Sequence, residues 1–316
     1  MTYFLLFLIS FLLSFAAVWL ARVFGTKFQF FDLPKEDPQK IKIHQEPIPF
    51  LGGLAIFLVF QFVFIGALYF NNLLNLKALA VFLATLLIFS IGFFDDLKWK
   101  NYFVKPKIKL FSLILFSFFA AAVLITAGIK IQFFELPIVA FILGFLYILG
   151  SINAVDFEDG IDGLAGGLTI ISFGGFLILS FLTGNSFSLI MSLILLGTVF
   201  GFLVFNFPPA KIFMGDSGAY FLGITLAVLA MLFSRPHNIL SILGPILIIG
   251  LPIFDTAYVI IKRVAQERSP IVGNRDHFYD ILHFKKGFSI VKTLLICYTL
   301  QVISVVSGLF IFIFYF

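Results

Sequence analysis

The feature that most limits this chain is the recurrence of apolar runs about 20 residues long, separated by short charged loops. Such runs are read at 3–24, 50–70, 77–94, 109–127, 136–153, 164–182, 187–206, 218–234, 239–262 and 290–315. A helix of ~20 apolar residues crosses the hydrocarbon core of a bilayer, and within lipid the backbone must satisfy its own hydrogen bonds. Ten such runs predict an all-α, polytopic integral membrane protein with about 10 transmembrane helices, a single membrane-embedded domain over 1–316. Of the 316 residues, 61% are hydrophobic and 12% charged, too apolar for a water-soluble core. The single cysteine, Cys297, excludes a disulfide scaffold. The scarcity of polar tracts excludes disorder. The 47 phenylalanines are read as lipid contact and packing. The first run is too long for a cleavable signal, and its basic residues, Arg22 and Lys27, follow it rather than precede it.

Charge gives the orientation. The segments 22–49, 95–109, 207–217 and 262–292 hold 18 of the 21 Lys and Arg, and the opposite side holds only Lys77, Lys130 and Arg235. Basic loops stay cytoplasmic, which places both termini outside. Of the 16 acidic residues only Glu135 falls on the outer side. Acids do not follow the positive-inside rule, so their crowding on one face points to a cytoplasmic active site.

Three acidic clusters carry that reading. Asp95 and Asp96 end the third run, where the helix dipole and mutual repulsion both disfavour them; a solvated helix end relieved by Lys98 and Lys100 is the plain alternative. The second cluster runs from Asn153 to Gly163 and includes Asp156, Glu158, Asp159 and Asp162. If it is helical, Asp156, Asp159 and Asp162 share one face. No Lys or Arg lies between Gln132 and Ala210, so a divalent cation or a distant basic loop must balance these acids. An all-oxygen donor set favours Mg²⁺ or Mn²⁺ over zinc. The third stretch runs from Phe205 through Asn206, Lys211, Gly215 and Asp216. Asp216 or Ser217 can simply cap the eighth helix, but a carboxylate beside free N–H groups also suits a metal-bound phosphate. A basic loop follows, with Arg263, Arg268, Arg275 and His277, fitted either to topology and anionic lipid or to a diphosphate. Asp255, within the ninth run, belongs to a functional or a packing network. Cys297 reads as a buried, inert thiol.

In combination these segments resemble the polyprenyl-phosphate N-acetylhexosamine-1-phosphate transferase family, which includes the initiators of O-antigen, enterobacterial common antigen and teichoic acid synthesis and the translocase of peptidoglycan synthesis. The matching pieces are Asp32-Leu-Pro34; Lys42-Ile-His44 through Gly52-Gly53; Asp95-Asp96; Asn153 through Ala165; Phe205 through Gly218; and Ser269 through His277 with Gly287-Phe-Ser. The last loop looks closer to the O-antigen and teichoic acid initiators than to the translocase, which carries three consecutive histidines there. Where those initiators have His-x-His-His, this chain has His277-Phe278-Tyr279-Asp280. Trp99 or Lys100 stands where the family often has a third acid, and Asp156 replaces the second Asn of its Asn-Ala-x-Asn motif.

The resemblance implies transfer of a sugar 1-phosphate, GlcNAc-1-phosphate in the first instance, from a UDP-N-acetylhexosamine to undecaprenyl phosphate, with UMP released and a lipid-linked envelope glycan begun. It implies Mg²⁺ (or Mn²⁺) bound by Asp216 and Asp96, and catalytic roles for Asp95, Asp96, Asp159 and Asp162. His44, Lys107, Asn153, Asp156, Asn206, Lys211, Arg275 and His277 are then expected at the substrates, with Lys109 assisting. Membrane lipid is the other partner, a homodimer is permitted, and no nucleic acid is expected. One phosphoanhydride replaces another, and no Walker motif for ATP is found. Translocase-like activity on a muramoyl-pentapeptide donor is the alternative within the family. A secondary transporter would place its acids at the bilayer midplane within an internal repeat, and no repeat is read. A scaffold subunit would bind nucleotide without turnover.

Overall fold

The computed structural model describes residues 3–32, 46–99, 106–133, 136–268 and 275–314, with the side chains of 98, 99 and 106 left out. Helices α1 (Tyr3–Lys27), α2 (Gly52–Phe70), α3 (Leu76–Trp99), α4 (Pro106–Thr126), α5 (Pro137–Glu158), α6 (Leu164–Thr183), α7 (Ser186–Asn206) and α8 (Gly215–Leu232) are followed by α9 (Leu240–Ile249) and α10 (Leu251–Ala265). A short α11 (Phe278–Asp280) continues as a π-helical turn over Ile281–Lys285, and α12 (Ile290–Phe314) follows. The described strands are β1 (Phe31–Asp32) and β2 (Ile48–Pro49), which pair antiparallel with Phe31 opposite Pro49 and Asp32 opposite Ile48.

Among the described residues, α1 to α8 and α12 are each long and apolar enough to cross a membrane. The expected span at 239–262 is instead a bent pair: α9 and α10 meet at 89°. Glycine makes the break, because Gly250 adopts φ +64° and Pro252 opens the next helix. A broken helix in lipid leaves backbone groups without partners. Gln301 of α12, fully buried, supplies them: its Oε1 accepts from Leu251 N–H at 2.8 Å, and its Nε2 donates to the carbonyls of Ile248 and Ile249, both at 3.0 Å.

The other departures are at helix ends. The third and fifth helices run past the expected ends at 94 and 153 to Trp99 and Glu158, so Asp95, Asp96, Asn153 and Asp156 are helical. The proposed common face for Asp156, Asp159 and Asp162 does not extend over one helix. α5 stops at Glu158, Asp159 caps it, and Gly163 at φ +79° turns the chain into α6.

α7 and α8 form the buried centre. Small residues set how closely their neighbours approach. Gly197 and Gly201 lie one turn apart on α7, where a Cβ would come within 2.5 Å of Phe7 O and 2.8 Å of Phe11 O, so α1 rests directly on the α7 backbone. On the other side, Phe57 of α2 stacks on Phe89 of α3 at 4.0 Å and meets Phe221 of α8 edge-on at 5.5 Å. This packing brings the C-terminal ends of α3 and α5 to the N-terminal end of α8.

Candidate active site

The site is built where α8 begins. The chain leading into it is held like a strand: Phe213 N–H donates to Pro49 O at 2.8 Å, and the N–H groups of Gly52 and Gly53 donate to Phe213 O and Met214 O, each at 3.0 Å. A Cβ on Gly53 would overlap the backbone at Met214 and Gly218, and one on Gly92 of α3 would sit 2.7 Å from Asp216 O. The glycine pair that opens α2 thus serves close backbone approach.

That approach lets α3 cap α8. Asp96, 8% exposed, accepts Asp216 N–H at 2.8 Å on Oδ1 and Ser217 N–H at 3.0 Å on Oδ2. A carboxylate that is unfavourable at its own helix C-terminus is stabilised by another helix's N-terminus, in both hydrogen bonding and dipole. Asp96 was expected at the metal and in catalysis; it is placed with both oxygens on the α8 backbone.

A cleft of about 800 Å³ opens beside this junction, lined by Asp95, Asp96, Lys109, Asp156, Asp159, Gly160, Asp162, Asn206 and Asp216, with Asp32, Glu46 and the apolar Ile48, Phe50, Phe213 and Ile290 along its walls. Acids from α3, α5, the α5–α6 turn and α8 therefore share one cavity. The Asp216 carboxyl is in side-chain hydrogen-bond contact with those of Asp95 and Asp156. Lys109 of α4 supplies the cation: its Nζ lies 2.6 Å from Asp216 Oδ2 and 3.4 Å from Asp95 Oδ2.

Asp159, just beyond α5, has its carboxyl pushed well up by burial and then by the negative charges of Asp156 and Asp216. Asp162 and Asn206 also organise the walls: Asp162 Oδ2 accepts Ala210 N–H at 2.9 Å, Asn206 Oδ1 accepts Gly163 N–H at 3.0 Å, and Asn206 Nδ2 donates to Ile212 O at 2.9 Å.

The remaining expected residues that fall among the described ones do not line this cleft. Asn153 Nδ2 donates to Leu149 O in its own helix at 2.7 Å. Lys107 and Lys211 are exposed. Arg275 lies over the Phe284 ring at 3.7 Å. His277, 6% exposed, bonds to Asp255 at 2.6 Å. His44 lies outside the described residues. Asp276 is engaged by Lys262 at 3.1 Å; burial pushes its carboxyl up, but Lys262 and Arg263 outweigh this and hold it below the usual carboxylate range. Lys109, at most an assistant in the sequence reading, is the basic side chain that lines the cleft among the described residues. Its signal was register: two residues from Lys107, it faces a different side of α4.

A divalent cation fits the chemistry of this donor set. Asp95, Asp156 and Asp216 offer converging carboxylate oxygens, as hard cations prefer. Among the described residues no group of three or more His, Cys, Asp or Glu side chains is arranged to hold a metal ion.

Fold and site thus define a multi-pass membrane protein with a charged cleft at one end of its helices, and comparison with known proteins gives the family. Residues 78–234 match the model of glycosyl transferase family 4. A protein of Bacillus subtilis (strain 168), named a probable undecaprenyl-phosphate N-acetylglucosaminyl 1-phosphate transferase, is 31% identical over 87% of this chain and 76% of that protein. The phospho-N-acetylmuramoyl-pentapeptide-transferases of Borreliella burgdorferi (strain ZS7) and Bacillus mycoides (strain KBAB4) are each 31% identical, covering 75% and 81% of this chain and 74% and 81% of their own. The chain belongs to glycosyl transferase family 4. It is a membrane-embedded transferase of the sugar-1-phosphate type.

Proposed function

We propose that this protein transfers an N-acetylhexosamine 1-phosphate, GlcNAc-1-phosphate in the first instance, from its UDP-sugar to undecaprenyl phosphate at the cytoplasmic face of a bacterial inner membrane. An oxygen of the lipid phosphate attacks the sugar-bearing phosphorus of the donor. The bond from that phosphorus to the bridging oxygen breaks, and UMP leaves. The observation that carries this reading is the meeting of Asp95, Asp156 and Asp216 around Lys109 in one cleft. Two anionic reactants repel one another, and carboxylates that gather a divalent cation beside Lys109 would offset that repulsion.

Asp216, with Asp95 or Asp156, would hold Mg²⁺ (or Mn²⁺), which supplies charge neutralisation to the diphosphate when bound. Lys109 orients the carboxylates and faces the incoming phosphates. Asp95 then takes the residual proton of the lipid phosphate. Asp159 and Asp162 border the donor's end of the cleft. The apolar Ile48, Phe50 and Phe213 suit the start of a lipid tail.

The test is UMP release by purified protein given undecaprenyl phosphate and a panel of UDP-sugars, including the muramoyl-pentapeptide donor, with Mg²⁺ and with chelator. Release is expected with UDP-GlcNAc and metal only, and Asp216→Asn is expected to lower it at least a hundredfold. Near-native turnover by Asp216→Asn, or turnover unchanged by chelator, defeats the reading. Release only from the muramoyl-pentapeptide donor would move the chain to the translocase activity.

A further inference from the structure

Asp255 takes no part in the cleft, yet it is a carboxylate buried to 4% exposure on α10, in the second turn after the break at Gly250. Burying a carboxylate costs several kcal/mol unless hydrogen bonds repay it. Both of its oxygens are used on one target. Oδ2 meets His277 Nδ1 at 2.6 Å, and Oδ1 accepts the N–H of Phe278, the next residue, at 2.8 Å. The His277 N–H donates to Asp280 Oδ2 at 3.3 Å. The imidazole is also held by rings: Phe157 of α5 at 5.2 Å, and Tyr279 at 5.8 Å and 7° from parallel.

This assembly abuts the cleft. The Tyr279 hydroxyl fills the space where a Cβ on Gly160 would sit, and Gly160 lines the cavity between Asp159 and Asp162. Phe157 follows Asp156 directly, and His277 acts electrostatically on the Asp156 carboxylate. With Nδ1 committed to α10, Nε2 is the ring's remaining polar atom. A carboxylate on Nδ1 selects the tautomer that carries its proton there, leaving Nε2 as the atom that can accept or pass a hydrogen bond.

We propose that Asp255 is a positioning residue: through Nδ1 it fixes the tautomer and orientation of His277, so that Nε2 serves the donor at the Asp156–Gly160 edge of the cleft. The proposal rests on the transferase reading above for the identity of the donor. An amide at position 255 would keep the shape and reverse the chemistry. Its oxygen can still accept Phe278 N–H, but its NH₂ then faces Nδ1 and selects the opposite tautomer.

The test uses the full chain in detergent. UMP release from UDP-GlcNAc and undecaprenyl phosphate is measured for wild type, Asp255→Asn, Asp255→Glu, His277→Gln and the Asp255→Asn/His277→Gln double variant, each checked by its melting temperature. Asp255→Asn is expected to lower kcat at least tenfold with the donor KM within threefold. Asp255→Glu should recover part of that loss. The double variant should be no worse than His277→Gln within twofold, because Asp255 acts only through His277. Losses that multiply, or Asp255→Asn within twofold of wild type, overturn the proposal. A second measurement needs neither turnover nor an Asp255 variant. In ¹⁵N-histidine spectra of the wild-type protein above the histidine titration, assigned with His277→Gln, the His277 proton is expected on Nδ1, and finding it on Nε2 overturns the proposal. If wild type releases no UMP, the transferase reading fails and the tautomer still decides the Asp255–His277 pairing.

Discussion

At the residue scale the site depends on carboxylates with different employments. Asp96 gives one oxygen to each of two α8 N–H groups. Asp96→Asn retains a single acceptor oxygen, so one buried N–H loses its partner and the helix start loses a negative charge. A loss of about 1–2 kcal/mol in stability is expected, read as a lower melting temperature, together with reduced turnover because Asp216 sits on the disturbed turn. Lys109→Met removes the cation between Asp95 and Asp216; a loss in kcat on the order of 10²-fold is expected in the UMP assay, as for other charge-stabilising groups. Asp280 gives a pH signature. Burial pushes its carboxyl up to about 6, opposed by His277 and Arg275 and assisted by Asp255. The folded state then holds a proton that the unfolded state gives up, so Asp280's stabilising contribution is complete below about pH 4 and is lost as pH rises through 6. Asp280→Asn should flatten that part of the melting temperature profile between pH 4 and 6; an unchanged slope would reject the assignment.

At the scale of elements, glycine decides which helices touch. Gly201→Leu would drive a branched side chain into the α1 backbone at Phe11 and Phe15. It is expected to destabilise by about 1–3 kcal/mol, measured by thermal aggregation in detergent. Elements also show what sequence could and could not convey. The apolar runs gave the helices because a span needs only length and hydrophobicity, and the acidic clusters marked the cleft because so many carboxylates beside lipid have few structural uses. The division of labour among them was hidden. Asp96 finds its partners 120 and 121 residues away, and Asp255 finds His277 22 residues away across a loop. No local pattern encodes such pairings. Choosing Lys109 over Lys107 required the rotation of α4 against α8. The 89° break was marked by Gly250 and Pro252, but recognising it also required Gln301, half a hundred residues on, to repair the exposed backbone.

At the scale of the whole molecule, the bent pair fixes the arrangement of the chain across the bilayer. α9 has 10 residues, about half the length that a crossing needs, and α10 leaves it nearly at a right angle. If the pair crosses as one unit, the loop after α10 lies on the same side as the α3–α4 loop; if it turns back, it lies with the α4–α5 loop. Charge favours crossing, because Lys262, Arg263, Arg268, Arg275, Lys285, Lys286 and Lys292 would otherwise all lie outside. The cleft argues the same way. Ile290, at the start of α12, lines it together with Asp95 at the end of α3, so both loops approach one face. Single cysteines placed in a Cys297→Ser background separate the two arrangements. A membrane-impermeant maleimide applied to intact cells should label Lys130→Cys and spare Lys107→Cys and Lys286→Cys, and permeabilisation should expose both. Labelling of Lys286→Cys alongside Lys130→Cys would make the pair re-entrant and put the two termini on opposite sides. Labelling of Lys107→Cys from outside would invert the molecule and remove the cleft from the cytoplasmic nucleotide pool on which the transferase reading depends.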